Sequence, residues 1–283
     1  MSAATSPLID LPSQQHQNDH HHHSRSDDQQ QPLPSASTTT STTRKGLSTA
    51  STTTSVIMRR DNEPATAPGV IRLEIYADLL CPWCFIEKRS LDALTRRYAE
   101  EHPDVRFEVV WKPYYIAPAM AKHNVDKRSI YSRLNAINPT FLPRIHLAAA
   151  KHNISFSIRG LTGNTRPAHR LIASTLAKHG PEAQSRVVEA LFRGHFEDGR
   201  DLSDEAWLAA VGTEAGGMAE SLLEDEEEQG RRVDEVAERA RREFGVEAVP
   251  CVVVQGRYKV GGYQEGVVFE RLFDKIRLGG EVI

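Results

Sequence analysis

The chain has 283 residues, of which 39% are hydrophobic and 26% charged, with a formal net charge of −3. That balance excludes a dedicated basic nucleic-acid surface, and no stretch approaches the ~20 apolar residues of a membrane-spanning helix. The longest apolar run in the first 60 residues is Val56-Ile57-Met58, against roughly 7–15 residues for a signal-peptide core, so the expectation is a cytoplasmic protein with neither nucleic-acid nor membrane partners.

Residues 1–68 are almost entirely polar. They include a histidine run from His20 to His23, a glutamine run from Gln29 to Gln31, and 15 Ser or Thr among the 21 residues from Ser35 to Ser55. Too few apolar groups are available there to offset the entropy of ordering the backbone, so a disordered tail is expected over 1–68. The domain is expected over 69–283. Ile71 to Ala77 alternates apolar and polar residues, which predicts a strand. Asp78-Leu79-Leu80 reads as a loop. From Cys81 the spacing turns helical, with Phe85, Leu91, Leu94 and Tyr98 on one face and Lys88, Arg89, Arg96 and Arg97 on the other. Val105 to Trp111 alternates again. A helix between two strands implies a right-handed crossover and parallel pairing.

A helical block follows. Pro143–His152, Thr165–Lys178 and Pro181–Phe196 are predicted helices. Ser203 is expected to cap a fourth, and Gly217–Phe244 to form a fifth, broken near Gly230. Ile154-Ser155-Phe156 is the one strand-like piece. Glu227–Arg231, Glu228–Arg232, Glu235–Arg239 and Glu238–Arg242 have the spacing and order of helical ion pairs, which makes the acidic run a solvated face. The end returns to sheet, with a strand over Val249–Val254, a turn at Gln255-Gly256, a partner strand over Arg257–Val260, and a helix over Glu265–Leu278. The expected class is α/β: βαβ followed by ββα, with a helical insertion over about 117–244.

Only three cysteines occur, Cys81, Cys84 and Cys251. Cys81-Pro82-Trp83-Cys84 falls between a strand and the first turn of a helix. The first N–H groups of a helix have no partner within it, and its dipole places partial positive charge there, so a thiolate is favoured. Cys81 is expected at the open end, within reach of a substrate, with Cys84 one turn deeper. Pro82 suits the first helical position, and Trp83 offers an apolar face. The competing reading is half a zinc site, but such a site wants four ligands, and no second paired motif exists. Val249-Pro250 opens a strand after a loop and is a candidate cis peptide. Cys251 reads as a buried core residue, the alternative being a third redox thiol.

The sequence resembles the DsbA-like oxidoreductases of thioredoxin fold, specifically the FrnE-like branch related to 2-hydroxychromene-2-carboxylate isomerase and kappa-class glutathione transferase. The resemblance rests on Cys81 to Ile86 with Lys88-Arg89, on Gly163-Asn164-Thr165 with Ala168 to Leu171, and on Leu191-Phe192 with Phe196, Gly199 and Asp201 to Asp204. Gly245-Val246, Val249-Pro250 and Gly262-Tyr263-Gln264 complete it. It implies a thioredoxin fold with a helical insertion, a Cys81/Cys84 redox pair, and a cis Val249-Pro250 facing that pair. On this reading Cys81 attacks, Cys84 resolves, Pro250 shields the sulfurs, and the Val249 backbone binds substrate. The resemblance also hints that Asn164, Thr165 and His169 line a cleft above the dithiol; packing of an insertion helix explains the same residues. Two departures stand out. Glu87 replaces the family's usual glycine and reads as a solvated first-turn acid, and Cys251 follows the proline where an apolar residue is usual.

The implied activity is thiol–disulfide exchange on protein or small-molecule disulfides. No tightly bound cofactor or metal is expected, and glutathione stands as a candidate co-substrate. The alternative is a glutathione-dependent isomerase or transferase acting on a small aromatic or polyketide-like compound. The branches with that chemistry usually have serine in place of the first cysteine, and this chain keeps both. Oligomeric state is not encoded in any feature above.

Overall fold

The structure, a computed structural model, describes residues 57–58, 69–216 and 226–279. The expected tail therefore lies outside the described residues except for Ile57-Met58. Those two residues form a short strand, β1, on an edge of the sheet.

The sheet has five strands in the order β1-β7-β6-β2-β3, where β2 is Val70–Ala77, β3 Arg106–Pro113, β6 Cys251–Val254 and β7 Tyr258–Gly261. β2 and β3 run parallel, in register from Val70↔Arg106 to Ala77↔Pro113. The other three pairings are antiparallel. Helix α1, Pro82–Glu101, makes the crossover between β2 and β3. In β2 the alternation that predicts a strand places Ile71, Leu73 and Ile75 in the core. β6 is central and reads Cys-Val-Val-Val, all four residues buried, as a strand covered on both faces requires. Helix α7, Gly266–Arg277, closes the chain against α1. Phe269 and Phe273 are its buried residues; Val268, Leu272 and Ile276 pack at the rim of the core.

Between β3 and β6 lies the helical insertion: α2 (Lys127–Ile137), α3 (Phe141–Lys151), α4 (Arg166–Arg193), α5 (Glu205–Val211) and α6 (Glu226–Arg242), with two-residue strands β4 (Val125–Asp126) and β5 (Leu161–Thr162). α4 is two helical segments joined at Gly180, whose φ of 80° is open to glycine. A stack of rings ties the insertion to α1: Phe85 of α1 lies 5.4 Å from Phe192 of α4 and 6.0 Å from Phe196, which in turn lies 5.5 Å from Phe156. All but Phe156 are essentially buried, each worth about 1.5–3 kcal/mol of transfer free energy. α1 is therefore clamped between the sheet and the insertion, and its first turn opens onto the seam between them.

Several sequence expectations need correction. Ile154-Ser155-Phe156 is not a strand; β4 and β5 pair with each other instead. The α5 cap is Asp204, whose carboxylate accepts from Ala206 N and Trp207 N, whereas the Ser203 hydroxyl is spent on Asp201. α6 runs unbroken through Gly230, because the missing side chain there leaves room for the Arg166 guanidinium: a Cβ would sit 2.3 Å from it. The predicted start of that helix, from Gly217, lies outside the described residues. Glu227–Arg231 and Glu228–Arg232 pair as expected, but Arg239 turns to Glu243 at 3.1 Å rather than to Glu235. Lys88 is not on a solvent face. It is buried, ion-paired with Asp92 and 6.0 Å from the Trp111 ring.

Candidate active site

β2 ends at Ala77, and the chain turns tightly through Asp78. Cys81 N donates to Asp78 O at 3.0 Å, and Cys84 N donates to Cys81 O at 3.0 Å, so Cys81 is the N-cap of α1 and Pro82 its first residue. None of the three cysteines is disulfide-bonded. The Val249-Pro250 peptide is cis, and the Cys81 thiol donates to the Val249 carbonyl at 3.5 Å. The predicted cysteines, Pro82, Val249 and Pro250 thus meet at one point. Trp83 is beside them, stacked on Tyr263 with ring centres 5.6 Å apart and with the Arg144 guanidinium 5.8 Å from its ring.

The sulfurs are more recessed than the sequence suggests. Cys81 is only 2% exposed and Cys84 fully buried. Cys81 faces a narrow cavity in the seam, of about 50 Å³ and partly open to solvent. Leu80, Pro82 and Trp83 form its floor, Ile116 and Met120 one wall, and Ile130, Tyr131, Leu134 and Phe141 a roof of insertion helices. Burial pushes the Cys84 thiol well above its ordinary pKa, and its hydrogen bond to Cys81 and the charge there push it the same way. The Tyr131 hydroxyl is likewise held protonated, by burial and then by the neighbouring Cys81 charge.

Beneath the dithiol Asp78 is completely buried. Its carboxylate accepts from Leu80 N at 3.2 Å, Ile116 N at 2.7 Å and the Thr165 hydroxyl at 3.1 Å. His169 Nε2 lies 3.7 Å from it. This is where Thr165 and His169 are found: both are buried under Asp78, away from the cavity, so they brace the turn rather than line a cleft. Asn164 uses its side chain to accept from Arg166 N at 2.8 Å at the start of α4. None of the three lines the cavity. Physically, the Asp78 carboxylate satisfies the N–H groups of Leu80 and Ile116, and being buried it needs a further donor, which the Thr165 hydroxyl at the start of α4 supplies.

Glu87 also departs from expectation. It is fully buried, not solvated, because the loop before α7 covers its face of α1. Oε2 accepts from Gln264 N at 3.2 Å, while Oε1 has no partner. Burial raises its pKa from 4.5 to about 8.

The polar members of the cavity wall had no sequence signal. Lys127 is buried, donates to the His195 carbonyl, and sits 5.5 Å from the Phe196 ring. Burial lowers its pKa to about 8, with the Asp201 charge opposing. His195 is held neutral by burial and by Lys127, with Nδ1 3.1 Å from Arg200 O. Thr162 is fully buried and its hydroxyl has no partner. Among the described residues no group of three or more His, Cys, Asp or Glu side chains is placed to hold a metal.

This arrangement, a strand running into a cysteine-capped helix with a cis proline facing it across the sheet, agrees with the comparison with protein families, in which the DSBA-like thioredoxin domain matches residues 72–273. The chain belongs to that family. Among solved structures, the DSBA-like domain is similar to a probable DsbA oxidoreductase from Streptomyces coelicolor, with a TM-score of 0.62 at 21% identity, covering 75% of this chain and 92% of that one. It is similar to the cytosolic disulfide reductase DsbM from Pseudomonas aeruginosa with GSH, at 0.52 and 17%, covering 74% and 99%. It is also similar to 2-hydroxychromene-2-carboxylate isomerase, at 0.50 and 15%, covering 72% and 95%. At these identities the likeness is one of fold. No curated protein matches the chain. No helix among the described residues of this DSBA-like protein is long and apolar enough to cross a membrane.

Proposed function

We propose that this DSBA-like protein is a thiol–disulfide oxidoreductase whose working pair is Cys81 and Cys84. The observation that carries the reading is the asymmetry of the pair. Cys81 caps the helix and faces the cavity, while Cys84 lies one turn below, fully buried and held protonated. An attacking thiol must be reachable and a resolving thiol must be close behind it, unreactive until needed.

The Cys81 thiolate attacks one sulfur of a substrate disulfide; the S–S bond breaks and the other sulfur leaves as thiolate. Cys84 then loses its proton to that leaving thiolate and attacks the Cys81 sulfur, and the second substrate sulfur leaves as thiolate. The substrate gains two electrons, and the protein is left as the Cys81–Cys84 disulfide. Two molecules of a monothiol such as glutathione return it to the dithiol, becoming one disulfide themselves. The GSH named with DsbM supports glutathione in that role. In a reducing compartment such as the cytoplasm this direction is reduction or isomerisation rather than net oxidation.

The decisive experiment uses pre-reduced protein and oxidised glutathione. Cys84→Ser is expected to accumulate a mixed disulfide at Cys81, visible by mass spectrometry, because the attacker survives and the resolver is lost. Cys81→Ser is expected to form none. Equal trapping by both variants, or by neither, refutes the assignment.

A further inference from the structure

Two features of the seam cavity are left unused by thiol–disulfide exchange. Lys127 carries a buried ammonium, and no carboxylate among the described residues lies within ion-pairing distance of it; its one hydrogen-bond acceptor is the His195 carbonyl. Burying a charge without an ion-pair contact is costly, and the Asp201 charge acts on Lys127 only from beyond contact distance. Thr162, fully buried, lines the same cavity with an unpartnered hydroxyl, again at a cost, since such a group has lost its water. The two are placed together by the backbone. Val125 of β4 pairs with Thr162 of β5, Lys127 follows β4 directly, and Lys127 N donates to Gly160 O at 3.2 Å. The rest of the wall is largely apolar, and Cys81 is part of it.

We propose that this cavity is a binding subsite for an apolar group bearing one carboxylate, with Lys127 and Thr162 receiving the carboxylate and Cys81 the sulfur, so that the preferred disulfide is a low-mass organic acid rather than the surface disulfide of a folded protein. The inference rests on the dithiol reading above and narrows it to a substrate class. An anionic oxygen supplies the direct ion-pair contact that Lys127 lacks and the acceptor that the Thr162 hydroxyl lacks. The apolar roof of Ile130, Tyr131, Leu134 and Phe141 covers the body of the molecule. A cysteine only 2% exposed is hard to reach for a disulfide fixed on a convex protein surface, whereas a small molecule can bring its sulfur to the cavity mouth.

The test compares three disulfides in single-turnover reactions with pre-reduced protein at pH 7: bis(nitrobenzoate) disulfide, the uncharged dithiodipyridine, and insulin. Each rate is divided by that of a small free thiol with the same disulfide, to remove intrinsic reactivity. The carboxylated aryl disulfide is expected to be the preferred one. Lys127→Met should cut the preference for it over dithiodipyridine by about tenfold, as loss of a charge-assisted contact does. Thr162→Val should cut it several-fold without lowering the melting temperature, because the hydroxyl it removes has no partner in the protein. Lys127→Arg, which keeps the charge, should retain most of the preference and serves if Lys127→Met does not fold. An unchanged preference in Thr162→Val and in Lys127→Met (in Thr162→Val alone if Lys127→Met does not fold), or insulin as the best of the three, overturns the proposal while leaving the dithiol reading intact. If the wild type reduces none of the three, the dithiol reading fails. The subsite is then judged by calorimetry of naphthoate and naphthol on Cys81→Ser, where tighter binding of naphthoate, lost in Thr162→Val, supports it and equal binding refutes it.

Discussion

Glu87 gives the sharpest physical expectation. Its carboxyl is fully buried, with a single hydrogen bond to Gln264 N and one oxygen unpartnered. Burial dominates its titration; the hydrogen bond from Gln264 N opposes the rise and the charge of Glu265 adds to it, giving a pKa of about 8 against 4.5 when exposed. Below pH 4.5 folded and unfolded chains both hold this proton and it does not affect stability. Between pH 4.5 and 8 the unfolded chain releases the proton and the folded protein keeps it, so stability falls as pH rises, by about 1.4 kcal/mol per pH unit. At pH 7 the loss is about 3 kcal/mol. Glu87→Gln mimics the protonated form and does not titrate. It should match the wild type at pH 4.5 and be more stable at pH 7, by roughly 6–12 °C in Tm at about 2–4 °C per kcal/mol. Thermal melts of both proteins across pH 4.5–8 measure this directly. Parallel Tm curves would show that the Glu87 carboxylate ionises in the folded protein and would refute the reasoning.

The sheet was legible because its strands carry local signals. β2 alternates, β6 is a short apolar run opened by proline, and the turn at Gln255-Gly256 uses φ of 53° and 62°, which glycine accepts readily. The position of Cys81 as a helix cap followed from strand, loop and Pro82 alone. What escaped was set by contacts distant in sequence. Nothing near Glu87 foretells that residues 262–265 will cover it, so a first-turn acid reads as solvated. Lys88 carries the pattern of an exposed cation until β3 brings Trp111 over it. Gly230 reads as a breaker unless Arg166, 64 positions earlier, is known to cross it on its way to Asp234 at 2.9 Å. β4 and β5 are too short to alternate, and their pairing is what unites Lys127 with Thr162. The family resemblance pointed to Thr165 and His169 as lining a cleft above the dithiol; they lie instead on Asp78, outside the cavity, where the buried carboxylate needs donors.

Three further outcomes are expected. Asp78→Ala strips acceptors from Leu80 N, Ile116 N and the Thr165 hydroxyl, and urea unfolding should show a loss of roughly 3–5 kcal/mol; a loss below about 1 kcal/mol would mean that water replaces the carboxylate there. Gly194→Ala puts a Cβ 2.2 Å from the Trp207 ring and should cost about 1–3 kcal/mol. Adding Trp207→Leu should make the alanine nearly harmless, and simple additivity of the two changes would refute the clash. The last concerns the order of alkylation. Cys84 is reached only past Cys81, and burial holds its proton on, so iodoacetamide at pH 7 should modify Cys81 at least about tenfold faster than Cys84. Once Cys81 is capped its charge can no longer hold the Cys84 proton, but the larger influence, burial, remains. Capping should therefore not release Cys84, which should react at an appreciable rate only when the chain unfolds. Equal labelling of the two in folded protein would mean that the first turn of α1 opens freely, and that an asymmetry of attacker and resolver cannot be what the pair provides.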